Sequence, residues 1–247
     1  VRPMHKTAFA VLSDIHGNHE ALVQVLRDME SLGIANAISL GDNIGYGPYP
    51  NEVVALLLAA EIPSVLGNHE SAILKISEQN WFNPSAKKAL MQTRKMLNPA
   101  TLTTIASYPE FRVLRNCRFV HGCPPSDIRT YLFQKEDSEI IELFSLFDET
   151  LCFTGHTHEL EIIGWDGERI ERSMPGETPV FLKEKERSII NCGSVGQPRD
   201  GDNRAKYIIY DPVEHTLLLR RVSYDVKKTV SAILRAGLPK VYADRLL

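Results

Sequence analysis

The chain has 247 residues, 43% of them apolar and 24% charged, with a formal net charge of -3 at pH 7. That balance fits a folded protein with a full core and excludes a disordered segment. It leaves no electrostatic footprint for nucleic acid, because the paired basics Lys87-Lys88, Arg94-Lys95, Arg220-Arg221 and Lys227-Lys228 are scattered among apolar positions, as on a solvated face.

In chain order, an apolar strand over Ala8 to Leu12 runs into Ser13-Asp14-Ile15-His16-Gly17-Asn18. Asn18 is placed to cap a helix to Leu32, in which Leu22, Val25, Leu26 and Met29 take the spacing of one buried face before Gly33 stops it. A second strand, Ala37 to Leu40, ends in Gly41-Asp42-Asn43 and leads to a helix over Glu52 to Ala60. A third strand, Ile62 to Leu66, ends in Gly67-Asn68-His69-Glu70. Such strand-helix-strand units predict parallel pairing. From Ser71 to Ser107 the pattern is helical, with Pro84 and Pro99 marking helix starts, so a helical insert is expected at about 71–107.

Phe111 to Leu114 and Cys117 to Val120 read as paired strands turning at Arg115-Asn116, the second delivering His121-Gly122. A loop with Pro124-Pro125 and Tyr131-Leu132-Phe133 precedes a helix from Ser138 to Phe147, and the next strand runs into Gly155-His156-Thr157-His158. Beyond His158, strands are expected at Leu160 to Trp165, Arg169 to Met174, Val180 to Lys183, Ser188 to Asn191, Lys206 to Tyr210 and Thr216 to Val222. Asp166-Gly167 is a hairpin turn signal, and an antiparallel second sheet packed on the first accounts for these strands. A last helix, Val226 to Arg235, puts Val226, Val230, Ile233 and Leu234 on one face and ends at Gly237. With no repeat or linker, a single domain over 1–247 is expected.

The longest apolar run, Val53 to Ala60, is far shorter than the roughly 20 residues of a membrane helix. No apolar segment that could serve as a signal peptide precedes the first strand, and the four cysteines form no Cys-x-x-Cys pair. A reduced, cytoplasmic protein is expected.

In an open sheet the carboxyl ends of parallel neighbours share one edge, so the polar clusters at these strand ends should converge on one crevice. Of eight histidines, five (His16, His69, His121, His156 and His158) close an apolar run in a Gly-bearing loop, which packing alone does not produce. His5, His19 and His215 are read as structural or solvated. Imidazole, carboxylate and an amide suit manganese, iron or zinc, and the absence of cysteine from these clusters argues against a structural zinc knot. Asp14, His16, Asp42, Asn68, His121, His156 and His158 are too many donors for one ion, whereas two ions sharing a carboxylate would use them. Such pairs lie about 3.5–4 Å apart and clamp both oxygens of an in-line displacement, which serves phosphoester hydrolysis best.

The order Asp14-x-His16, Gly41-Asp42, Gly67-Asn68-His69-Glu70, His121-Gly122 and Gly155-His156-Thr157-His158 resembles the calcineurin-like metallophosphoesterase superfamily over most of the chain. The resemblance implies an α/β fold, a four-layer αββα sandwich of two packed mixed sheets flanked by helices. It implies one ion on Asp14, His16, Asp42 and His158, a second on Asp42, Asn68, His121 and His156, and attack by a hydroxide bridging them. His69 would then protonate the leaving oxygen without binding metal. Protein Ser/Thr phosphatases of similar fold follow Gly-Asp with an Asp and an Arg, where this chain reads Gly41-Asp42-Asn43-Ile44-Gly45-Tyr46-Gly47. The loops Gly45-Tyr46-Gly47-Pro48 and Asn191 to Arg199 instead resemble small bacterial and archaeal phosphoesterases, phosphodiesterase-like or diadenosine tetraphosphatase-like.

Three further residues are candidates for substrate contact. Arg199 fits phosphate with its guanidinium fork, or forms a surface ion pair. Asn18 is a helix cap or a phosphate contact, and Tyr46 stacks on a base or packs; Tyr131 to Phe133 carries the same alternatives. The expected protein is a binuclear-metal phosphoesterase for a monoester or diester of a small organic phosphate or nucleotide. A phosphoprotein phosphatase or a diadenosine polyphosphate hydrolase are the enzymatic alternatives. The other is a catalytically silent scaffold of the same fold, in which the ligand set is commonly eroded; here every ligand position and His69 are filled.

Overall fold

The computed structural model describes residues 6–183 and 186–247, so His5 lies outside the described residues. Its strands are β1 (Phe9–Leu12), β2 (Asn36–Ser39), β3 (Phe111–Leu114), β4 (Cys117–Val120), β5 (Leu151–Thr154), β6 (Leu160–Trp165), β7 (Ile170–Ser173), β8 (Val180–Phe181), β9 (Arg187–Cys192), β10 (Ala205–Asp211) and β11 (Thr216–Val222). The helices are α1 (His19–Ser31), α2 (Pro50–Ala59), α3 (Asn68–Leu74), α4 (Pro84–Met96), α5 (Pro99–Ala106), α6 (Asp137–Phe144), α7 (Val226–Arg235) and α8 (Val241–Asp244), with a 3-10 turn over Ile76–Trp81. No helix among the described residues is long and apolar enough to cross a membrane.

The strands form two mixed sheets, β2-β1-β10-β11-β8 and β3-β4-β5-β9-β6-β7. Period-2 alternation sends Phe9 and Val11 of β1 to the space between the sheets, where they meet Phe119, Phe153 and Ile190 of the other sheet. Phe119 and Phe153 stack there at 5.3 Å, and Phe9 meets Tyr210 edge-on at 5.6 Å. Ala10 and Leu12 face the opposite way, against Leu22, Val25 and Met29 of α1 and Val53 and Leu57 of α2. On the far side, Ile140, Leu143 and Phe144 of α6 cover Val120, Cys152 and Ile189. The layers are thus helix, sheet, sheet, helix: an αββα sandwich.

Local chemistry decides several elements. Asn18 accepts from Ala21 N at 3.2 Å and caps α1; Asn83 and Asn98 cap α4 and α5, whose first residues are Pro84 and Pro99. Arg115 and Asn116, at φ 53° and 59°, make the tight β3–β4 turn.

Three expectations are corrected. Ile62 to Leu66 is no strand: a single parallel bridge joins Ser39 to Ser64. Pro63 has no N–H to extend the ladder, and Leu66 N turns away to Pro109 O at 2.7 Å. The strands beyond His158 do not form an antiparallel sheet of their own. β10 inserts between β1 and β11, while β9 lies parallel to β5. Every residue of β10 is buried, so it needs neighbours on both edges and both faces. On α7 only Leu234 departs from the expected face, at 48% exposed; Val226, Val230 and Ile233 pack inward, joined by Thr229 and Ala232.

Asp28 on α1 fastens that helix to the sheet. It takes a two-pronged contact from Arg220 (2.9 and 2.7 Å) and a hydrogen bond from the Tyr207 hydroxyl (2.7 Å). Burial pushes its carboxyl up, but Arg220 and Tyr207 outweigh that and hold it below its ordinary range. A depressed folded pKa contributes stability that is complete above the unfolded value of about 3.9 and lost as pH falls through the folded one. Asp28→Asn should therefore lower the unfolding free energy by about 2 kcal/mol at pH 7 in a urea titration, with the gap closing in acid. Equal stability at pH 7 would show that this clamp does not hold α1 to the sheet.

Candidate active site

The parallel strands β1 and β2 deliver Asp14 and His16, and Asp42, just beyond their ends, while β4 and β5 deliver His121, and His156 and His158. Asn68 and His69 open α3. Asp14, His16, Asp42, His156 and His158 all have φ between 50° and 67°. That left-handed conformation is unusual for residues with a Cβ and turns each side chain sharply back over its strand end.

Four of the clustered imidazoles are oriented from behind by a main-chain carbonyl. His16 Nδ1 reaches Ile44 O (3.1 Å), His121 Nδ1 reaches Leu40 O (2.8 Å), His158 Nδ1 reaches Gln197 O (2.6 Å), and His156 Nε2 reaches Arg129 O (2.8 Å). A carbonyl oxygen can only accept, so each of these nitrogens carries the proton, and the other ring nitrogen presents a lone pair to the centre.

The inward atoms then face one another across a common centre. His16 Nε2 and His158 Nε2 are 3.1 Å apart, and His121 Nε2 is 3.2 Å from His156 Nδ1 and 2.9 Å from Asn68 Oδ1. Asp14 Oδ1 is buried with no hydrogen-bond partner, 3.2 Å from His158 Nε2. Asp42 Oδ2 lies 3.4 Å from His121 Nε2 and 3.8 Å from His16 Nε2, between the two groups. Donors about 2.0–2.2 Å from a common ion sit about 3 Å from one another, as these do. The donor atoms of Asp14, His16 and His158, and those of Asp42, His121 and His156, each lie within 4.8 Å of one another, as do those of His16, Asp42 and His69. The residues fit divalent cations.

The charges respond accordingly. Burial pulls His121 down, yet Asp42 and Asp14 push it up to about 9, so a proton is drawn to the place where positive charge is wanted. Burial brings His156 and His158 down to about 4. The outer oxygens of the carboxylates are held by the frame: Asp14 Oδ2 accepts from Ser13 Oγ (2.6 Å) and His156 N (2.9 Å), and Asp42 Oδ1 accepts from His69 N (2.9 Å).

His69 is buried, with Nε2 3.8 Å from Asp42 Oδ2 and Nδ1 unpartnered. Its ring sits among those of Tyr46 (4.4 Å), His16 (4.7 Å) and Phe82 (5.0 Å). Burial holds its pKa well below the ordinary value. Gly45, at φ 88°, leaves room for the ring, since a Cβ there would collide with Nδ1.

Tyr46 and Arg199 line the cleft of about 140 Å³ that opens above Asp42, Asn68, His69, His156 and His158. Asn18 is buried behind the site; its Nδ2 donates to Gly196 O, and its Oδ1 accepts from Ala21 N and the Thr229 hydroxyl. His19 and His215 are elsewhere, His19 near Glu20 (3.9 Å) and His215 bonded to the Tyr210 hydroxyl (3.0 Å).

Sequence reasoning gave no role to Glu70, Trp81 or Arg129. Glu70 is buried and accepts from Asp42 N (2.9 Å), Gly67 N (3.1 Å), Asn43 N (2.8 Å) and Ile44 N (3.3 Å), tying two ligand loops together. Burial and the charge of Asp42 raise its carboxyl to about 7. A Glu three residues after a turn glycine was the available signal. Trp81 and Arg129 stand at the cleft mouth.

Lone pairs of buried imidazoles and carboxylates turned on a common centre, in loops at the edge of an αββα sandwich, define a metal-dependent phosphoesterase. The chain belongs to the calcineurin-like metallophosphoesterases: residues 7–160 match the family described as calcineurin-like phosphoesterase. It is 35% identical, over 98% of both chains, to the uncharacterized protein MJ0912 of Methanocaldococcus jannaschii. A crystal structure of a metallophosphoesterase from Sphaerobacter thermophilus is similar with a TM-score of 0.84 and 35% identity over 98% of both chains. The hypothetical protein PH1004 of Pyrococcus horikoshii shares the fold at a TM-score of 0.79, with 18% identity over 97% of both chains.

In Glu70→Gln, an amide NH₂ replaces one acceptor oxygen and faces main-chain N–H groups. Manganese affinity, measured by calorimetry, should fall about 10- to 100-fold while the fold is kept. Unchanged affinity would mean that the tie between the loops does not position the ligands.

Proposed function

We propose that this chain hydrolyses phosphomonoesters or phosphodiesters of small organic phosphates or nucleotides, using a pair of manganese, iron or zinc ions. One ion would be held by Asp14, His16, Asp42 and His158, and the other by Asp42, Asn68, His121 and His156. The observation that carries this reading is the position of Asp42 Oδ2 between two groups of inward lone pairs at the floor of a cleft. Bound divalent cations supply an activated water and neutralise charge on the phosphoryl oxygens.

The chain does the rest. The carbonyl anchors and Glu70 fix the donors before substrate arrives, so little reorganisation accompanies the reaction. Arg199 offers its guanidinium group to the phosphoryl oxygens from the wall of the cleft. His69 is the proton donor to the leaving oxygen. Burial keeps its ring neutral in the free protein, but an arriving phosphoryl group brings negative charge and raises its proton affinity. Asn18 is assigned to the cap of α1 rather than to substrate, because its side chain is engaged within the fold.

Protein supplied with manganese should hydrolyse bis-p-nitrophenyl phosphate or p-nitrophenyl phosphate. His69→Ala should lower kcat about 10²- to 10⁴-fold while manganese affinity is retained. Full activity in that variant would remove His69 from the chemistry, and lost manganese binding would make it a ligand instead.

A further inference from the structure

The outer wall of the cleft is aromatic. Trp81, the last residue of the 3-10 turn, lines it while 76% exposed, more than any phenylalanine among the described residues. An indole left in water forgoes the stabilisation that burial of so large an apolar surface brings, which makes its position at the mouth of a reactive cleft informative. Its surroundings are organised. The Arg129 guanidinium carbon lies 5.8 Å from the indole centroid, and Arg129 Nη2 is ion-paired to Glu78 at 2.7 Å. Glu78 also accepts from the Ser71 hydroxyl. Arg129 further supplies the carbonyl that orients His156, so the rim and the ligand shell share a residue. On the next wall, Tyr131 stacks on the His156 ring at 4.1 Å and 16°.

A phosphoryl group at the floor of this cleft would leave its organic substituent beside Trp81, Tyr131 and the flat face of Arg129. A planar heterocycle can stack its π-face on indole and guanidinium together. We infer that Trp81 is a base-stacking platform and that the site selects nucleotides over other small organic phosphates. This rests on the phosphoesterase reading above and narrows it to one substrate class.

The test compares adenosine 5′-monophosphate with ribose 5-phosphate, in which a hydroxyl replaces the base, as competitive inhibitors of bis-p-nitrophenyl phosphate hydrolysis by the manganese-loaded protein. The wild type should bind the nucleotide more tightly. Trp81→Ala should raise its Ki about 5- to 100-fold, the range of one base-aromatic stack, and leave that of ribose 5-phosphate where it was. Trp81→Phe should recover most of the difference. Equal Ki values for the two inhibitors in the wild type, or parallel losses in Trp81→Ala, would overturn the inference while the enzyme remained a phosphoesterase. Absence of any phosphoester hydrolysis would count against the parent reading instead. The stacking would still be legible as adenosine 5′-monophosphate quenching of indole fluorescence in a Trp165→Phe protein, and no quenching there would also overturn it.

Discussion

The structure depends on an electrostatic conflict held in place. His16 and His158, and His121 and His156, bring their inward ring nitrogens to 3.1 and 3.2 Å, beside two buried carboxylates. Facing lone pairs at such distances repel, and a buried carboxylate oxygen without a hydrogen bond, such as that of Asp14, is costly by several kcal/mol. A divalent cation at the centre would turn those costs into attractions and would displace the proton that Asp42 and Asp14 draw to His121. The loops around the site therefore act as restraints that keep the donors from relaxing apart.

Those restraints act through the main chain. Five of the seven donor residues hold positive φ, at about 1 kcal/mol or more each, and the packed sandwich below must sustain them. Carbonyls of Leu40, Ile44, Arg129 and Gln197 set the imidazoles, while Glu70 gathers four N–H groups from the Asp42 and Asn68 loops. Gly67 passes so close to Asp42 that a Cβ would collide with its carboxylate. A donor cage fixed in this way is already shaped for its ions, which is the advantage of preorganisation for catalysis.

The sequence revealed most where the determining physics is local. Asparagine caps, proline starts and the Arg115-Asn116 turn are set by neighbouring residues and were legible from them. The strand-end clusters were legible because burying an imidazole or a carboxylate at the end of an apolar run is costly unless something there binds it. Long-range pairing was not legible. β10 pairs with β1 from far along the chain, Ile208 opposite Val11, and nothing near Ala205 signals that choice over a separate antiparallel sheet. At Ile62 the apolar run reads as a strand, but the missing N–H of Pro63 outweighs it. Trp81 and Arg129 meet only because the 3-10 turn folds against the loop after β4, and neither segment has a periodicity that announces it.

The central claim, that the facing lone pairs exist to hold two cations, is tested most directly by anomalous diffraction from crystals grown with manganese. Two peaks about 3.5–4 Å apart, each in contact with Asp42, are the predicted result. A single peak, or manganese bound away from Asp14 and Asp42, would contradict the account.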